Sequence, residues 1–228
     1  MRPRVFLFDI DGTLIDASGV GRRAMEVAFV DVLGAARSAI EAVKFAGATD
    51  RGIVRSGLRE AKLAEDEASI DAVLARYLEL LPIEIACTTP AYRIHAGVFD
   101  AIAAAEAHAR GAVGLGTGNL ARGARIKLES VGLWERFAFG GFGCDAEPRH
   151  EVLAAGVRRG AQRLGVDPAE CRVLVIGDTP RDVEAAQAIG AECLGVTTGH
   201  ASADELRDAG ATWVVDRLDH PLALRALE

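Results

Sequence analysis

The chain has 228 residues, half of them hydrophobic, with a formal net charge of −7 and a pI near 5.3. That length suits one large domain or a core carrying one insertion, and the acidic balance excludes nucleic acid as a general partner, because a phosphate backbone demands a basic face. A small anionic ligand stays open, since helix ends or a metal ion override a mildly acidic whole locally.

Residues 5–10 form a short apolar, aromatic-rich run ended by Asp-Gly, which predicts a buried strand. From Asp16 to about residue 90 no convincing strand follows; apolar residues instead recur at helical spacing, as in Ile70, Val73, Leu74, Tyr77, Leu78 and Leu81. This interval predicts a helical insertion over 17–89, leaving 1–16 and 90–228 as the core. Beyond it, strand-like runs at 112–115, 137–139, 173–176, 193–196 and 213–215 alternate with helical stretches at 97–109, 120–131, 150–164, 180–189 and 202–209. Such alternation implies βαβ units, hence an α/β fold with a doubly wound parallel sheet covered on both faces.

No stretch approaches the ~18 uncharged apolar residues that a membrane span needs, and the opening apolar run is too short for a secretory signal. A soluble, cytoplasmic protein with no membrane partner is the expectation; nothing in the sequence speaks to oligomeric state. Cys87, Cys144, Cys171 and Cys193 are scattered without a C-x-x-C pair, so they are expected as small apolar fillers kept reduced, not as zinc ligands or disulfides. Three lysines stand against twenty-three arginines.

Three predicted strand ends carry chemistry. The first is Asp9-Ile10-Asp11-Gly12-Thr13. In doubly wound sheets the carboxyl ends of the strands face the ligand crevice, and alternation along an extended segment sends Asp9 and Asp11 the same way. Two close carboxylates repel unless a cation neutralises them. The second is Gly116-Thr117-Gly118-Asn119, where Thr117 offers a hydroxyl, Gly118 permits close backbone approach by a phosphate oxygen, and Asn119 is the expected N-cap of the next helix. The third is Gly177-Asp178-Thr179-Pro180-Arg181-Asp182, which puts Asp178 where a hard oxygen ligand for Mg²⁺ belongs, Pro180 at a first helical position and Asp182 in that helix's first turn. Each stretch alone is compatible with an acidic turn or a helix cap. Carboxylates at two strand ends, with a hydroxyl and glycine at another, point to a magnesium and phosphate site.

These motifs resemble those of the haloacid dehalogenase superfamily, in particular its phosphoglycolate-phosphatase-like group, and the likeness spans essentially the whole chain. The helical interval after the first strand resembles that family's small cap domain. The resemblance implies Asp9 as the nucleophile that takes the phosphoryl group, Asp11 as acid and then base, and Asp9 with Asp178 as Mg²⁺ ligands, helped by the backbone carbonyl of Asp11. It also implies Thr117 and Gly118 as holders of the phosphate and Asp182 as an outer residue that orients the metal's waters or a neighbouring cation. In the cap, Thr49 and Arg51 of Gly47-Ala48-Thr49-Asp50-Arg51 resemble a substrate-facing loop. The second aspartate, Asp11, favours phosphate esters over halides. The family's third motif is usually a lysine; here the stretch reads Glu147-Pro148-Arg149-His150, so Arg149 is the first candidate substitute, ahead of Arg158 and Lys127.

The function these features imply is Mg²⁺-dependent hydrolysis of a small phosphorylated metabolite. A phosphomutase of the same fold shares the nucleophile and the acid, and a catalytically weakened binding relative is the reading that a missing lysine favours.

Overall fold

The computed structural model describes residues 2–88 and 91–228; residues 89 and 90, where the insertion was expected to meet the core, lie outside the described residues. Six strands form one parallel sheet in the order β5-β4-β1-β6-β7-β8. They are β1 (Arg4–Phe8), β4 (Gly111–Gly116), β5 (Gly140–Gly141), β6 (Arg172–Gly177), β7 (Glu192–Val196) and β8 (Trp213–Val215). β1 is central, paired with β4 on one side and β6 on the other, and all five of its residues are buried. A strand covered on both faces needs no polar alternation, which is why its sequence reads as an unbroken apolar run.

The two faces nevertheless separate by period 2. Phe6 and Phe8 turn to one side, packing with α5 (Val98–Glu106), α6 (Ala121–Glu129) and α10 (Pro221–Leu227). Val5 and Leu7 turn to the other, packing with α7 (Arg149–Leu164), α8 (Pro180–Ala188) and α9 (Ala203–Asp208). Capping boxes start α8 (Thr179 with Asp182) and α9 (Ser202 with Glu205), and Pro180 takes the first turn of α8.

Between β2 (Ile15–Asp16) and β3 (Arg93–Ile94), which pair antiparallel, the chain runs through α1 (Val20–Leu33), α2 (Arg37–Glu41), α3 (Asp50–Glu60) and α4 (Glu67–Thr88). The predicted stripe on α4 buries Ile70, Val73, Leu74, Tyr77 and Leu81. These side chains join Phe29 and Met25 of α1 in the same apolar cluster as Phe6 and Phe8, and α4 packs against α6 of the core.

The predicted strand at 137–139 is displaced: Phe137 follows a short 3-10 turn, and pairing with β4 falls on Gly140 and Gly141. A side chain at Gly141 would meet the backbone of Val152 and Gly156, so only glycine lets this edge lie against α7. The two-residue β2–β3 ribbon and α10 were not anticipated from the sequence. Cys171 and Cys193 are buried fillers, whereas Cys87 and Cys144 are exposed, correcting the expectation for those two; all four are free thiols. Among the described residues no helix is long and apolar enough to cross a membrane.

Candidate active site

β1 ends at Phe8, and the next backbone N–H, that of Asp9, still donates to the carbonyl of Ile176 at 2.8 Å. The chain then curls: Thr13, Leu14 and Ile15 all donate to the carbonyl of Ile10, and Gly12 adopts φ +83°. Glycine accepts that conformation without a Cβ penalty, and a Cβ here would also run into the carboxylate of Asp178. The tight curl thus delivers two aspartates at the carboxyl end of the central strand and lets a third approach from β6.

Asp9, Asp178 and Asp182 are buried, and one oxygen from each lies within 4.8 Å of the others. Asp182 is spoken for on both oxygens. Its Oδ2 accepts from Thr179 N at 3.1 Å and Oγ1 at 2.7 Å, while Oδ1 accepts from Arg149 Nε at 2.8 Å and from Nη2 of the same guanidinium. Arg149 Nη2 also lies 3.1 Å from Asp9 Oδ1. Asp178 accepts from the Thr13 hydroxyl at 3.2 Å. Burial pushes Asp9 up to about 6, against the pull of Arg149, with Asp182 and Asp11 adding to the rise. Burial likewise drives Asp178 well upward, reinforced by the charges of Asp182 and Asp9. Asp9 and Asp182 share one guanidinium and Asp178 adds a third buried carboxylate, which leaves the cluster short of positive charge. All-oxygen donors, two of them not tied up as Asp182 is, fit a hard divalent cation such as Mg²⁺.

Asp11 sits apart from that cluster. Lys127 Nζ donates to its Oδ1 at 2.8 Å and Oδ2 at 2.6 Å, and Asn119 Nδ2 donates to Oδ2 at 2.8 Å. Asn119 is therefore not the N-cap of α6. Its amide also donates to Thr117 Oγ1 at 2.8 Å, and the cap is supplied from the helical segment, where Asp50 Oδ2 accepts from Leu120 N at 2.8 Å. Burial pushes Asp50 up to about 6, opposed by Lys127 and by the Leu120 N–H bond.

The loop before α3 closes directly over the β4–α6 turn. Asp50 N donates to Gly118 O at 2.8 Å, the Ala48 carbonyl lies where a Gly118 side chain would be, and Thr49 Oγ1 donates to Glu147 O at 3.0 Å. Arg149 Nη1 reaches Gly47 O at 3.4 Å and Arg181 Nη1 reaches Ala46 O at 3.1 Å. An open groove of about 630 Å³ follows this seam, lined in part by Lys44, Thr49, Arg55, Arg149 and Arg181.

The structure thus gathers Asp9, Asp178, Asp182 and Arg149 in one cluster, with Asp11, Thr117 and Gly118 beside it and Thr49 on the seam. Arg51 is not brought in: Asp71 at 2.7 Å and Glu67, both on α4, take up its guanidinium. Arg149, not Lys127, reaches Asp9, whereas Lys127 meets the other aspartate. Asp50 and Thr13 join the site although no motif singles them out, and Lys127, last of the three candidate substitutes, holds Asp11. A lysine kept on the helix after the second motif, in a chain that otherwise uses arginine, was the available signal.

The profile of the haloacid dehalogenase-like hydrolase family matches residues 3–190. The chain is 29% identical over 225 residues to a phosphoglycolate phosphatase of Pseudomonas putida, covering 95% of this chain and 77% of that protein. It is 27% identical over 222 residues, with the same coverage, to phosphoglycolate phosphatase 1 of Pseudomonas aeruginosa. Among solved structures, CbbY from Rhodobacter sphaeroides in complex with phosphate aligns with TM-score 0.71 at 19% identity, covering 99% of this chain and 100% of that one. A hydrolase from Pseudomonas syringae aligns with TM-score 0.72 at 21% identity, covering 97% and 96%. At these identities the structural likeness speaks to the fold.

Proposed function

The chain belongs to the haloacid dehalogenase-like hydrolase family and is a phosphoric monoester hydrolase, and on that premise we propose that it hydrolyses a small phosphorylated metabolite with Mg²⁺, through a phosphoryl group carried transiently by Asp9. The observation that carries this reading is the buried cluster of Asp9, Asp178 and Asp182 around one guanidinium at the carboxyl ends of β1 and β6.

An Asp9 oxygen attacks phosphorus, forming an acyl-phosphate bond as the ester P–O bond breaks. Asp11 gives its proton to the departing alkoxide. It then takes a proton from the water that attacks the same phosphorus, freeing inorganic phosphate and restoring Asp9. Arg149 takes the part of the usual lysine: it holds Asp9 against Asp182 and presents guanidinium charge to the transferring phosphoryl group. Thr117 and Gly118 border the phosphate position. Asp9 and Asp178, with the backbone carbonyl of Asp11, would hold Mg²⁺, which supplies charge neutralisation to the phosphoryl oxygens. Asp182, with both oxygens occupied, keeps Arg149 in place.

Residues 17–89 act in this reading as a cap over the core, with the segment before α3 closing over the site and Lys44 and Arg181 in the groove beside it suiting an anionic substrate. The relatives named phosphoglycolate phosphatase make 2-phosphoglycolate the first metabolite to try. The test is phosphate release from p-nitrophenyl phosphate with and without Mg²⁺, in wild type and Asp9→Asn. Mg²⁺-dependent activity lost in the variant supports the reading; activity that survives Asp9→Asn rejects it.

A further inference from the structure

Lys127 is a buried lysine with no place in the scheme above. Its side chain is 3% exposed, and its three ammonium donor directions are met by three acceptors: Asp11 Oδ1 at 2.8 Å, Asp11 Oδ2 at 2.6 Å and Asn119 Oδ1 at 2.6 Å. Asn119 completes the ring by donating to Asp11 Oδ2 at 2.8 Å and to Thr117 Oγ1 at 2.8 Å. Both oxygens of Asp11 are gripped, and the grip extends to the hydroxyl beside the phosphate position. The frame behind it is rigid, with the Tyr92 hydroxyl donating to the Lys127 carbonyl at 3.0 Å.

The lysine is roofed by the helical segment. A Cβ built on Gly21 of α1 would lie 3.2 Å from Lys127 Nζ and 3.7 Å from the Tyr77 hydroxyl of α4. Gly21 therefore leaves the room that the ammonium occupies. Asp50, in the closing loop, feels the same charge.

We infer that Lys127 is the positioning residue of the acid/base: it fixes the carboxyl of Asp11 at the leaving-group oxygen, and does so only with α1 and α4 seated above it. This rests on the assignment of Asp11 as proton donor. Lys127 acts through Asp11 and touches neither the phosphoryl group nor Asp9. A lost grip leaves the attack by Asp9 intact and impairs both proton transfers of Asp11, to the leaving group and from the attacking water.

Leaving groups separate the two. Nitrophenolate departs without a proton, whereas phenolate leans on one, so p-nitrophenyl phosphate and phenyl phosphate are compared in Mg²⁺ for wild type, Lys127→Met, Gly21→Ala and Asp11→Asn. Positioned general acids contribute about 10²–10⁴-fold. Lys127→Met is expected to lower kcat/KM, which reports the step in which the leaving group departs, on phenyl phosphate at least about tenfold more than on p-nitrophenyl phosphate, and to add nothing in the Asp11→Asn background. Gly21→Ala, which keeps the charge and favours the helix, is expected to move the ratio the same way by a smaller factor. Equal losses of kcat/KM on both substrates, or none, with Asp11→Asn still discriminating between them, would overturn the role of Lys127 alone. If Asp11→Asn itself does not discriminate, the assignment of Asp11 as acid fails, and this inference with it.

Discussion

Replacing Arg149 with methionine keeps the apolar stem of the side chain and removes the guanidinium that Asp9 and Asp182 share. The side chains of Arg149, Asp9 and Asp182 are 9%, 8% and 0% exposed, so neither carboxylate can turn to bulk water for compensation. Removing one partner of a buried ion pair costs about 3–5 kcal/mol, far above the value of a surface pair. For a chain of this size the urea dependence is about 2–3 kcal/mol per molar. The unfolding midpoint of the metal-free protein should therefore fall by about 1–2.5 M in Arg149→Met. Arg149→Lys restores the charge without the planar fork that spans Asp182 and Asp9 together, and should recover about half of that loss. Urea titrations followed by circular dichroism in EDTA measure both. A midpoint loss below about 0.3 M for Arg149→Met, within the range of a surface pair, would refute the claim that this guanidinium neutralises the cluster.

Other outcomes follow from the same charges. Asp50 has its folded value raised to about 6 by burial, from an ordinary 3.8, so the folded form holds its proton where the unfolded chain has lost it, and stability falls as pH rises from about 4 to about 6. Two pH units correspond to about 3 kcal/mol, and Asp50→Asn should flatten the metal-free stability profile across that window by a comparable amount; an unchanged profile would contradict the assignment. Mg²⁺ at about 100 times its dissociation constant should stabilise the protein by about 3 kcal/mol, visible as a rise in Tm that EDTA reverses and Asp178→Asn abolishes. Gly118→Ala puts a methyl group against the Ala48 carbonyl, and should raise KM for p-nitrophenyl phosphate by displacing the closing loop while leaving the circular dichroism spectrum unaltered.

How much of this could be read from the chain depended on how local each cause is. Val5 to Phe8 and Leu174 to Ile176 are legible because a strand buried on both faces must be apolar throughout. Thr179 to Asp182 is legible because its capping box closes within four residues. The edge strand was misplaced onto Phe137 and its neighbours because apolar content marks burial, whereas pairing fell where Gly140 and Gly141 admit α7. Asn119 looked like a helix cap because the residue that satisfies Leu120 N is Asp50, seventy positions away in sequence. The same distance hid Lys127, whose partner Asp11 lies 116 residues upstream. Arg51 looked available to a substrate because nothing near it in sequence announces Glu67 and Asp71 on a separate helix.

The proposed hydrolysis requires that Asp9 carry the phosphoryl group. The most direct measurement is a rapid acid quench of the enzyme turning over p-nitrophenyl phosphate in Mg²⁺, followed by proteolysis and mass spectrometry of the peptide that contains Asp9. The expected result is the added mass of one phosphoryl group on Asp9 in wild type, lost on hydroxylamine treatment and never formed in Asp9→Asn. Phosphate released in turnover with that peptide unmodified at every quench time, or with the group on another residue, would contradict it.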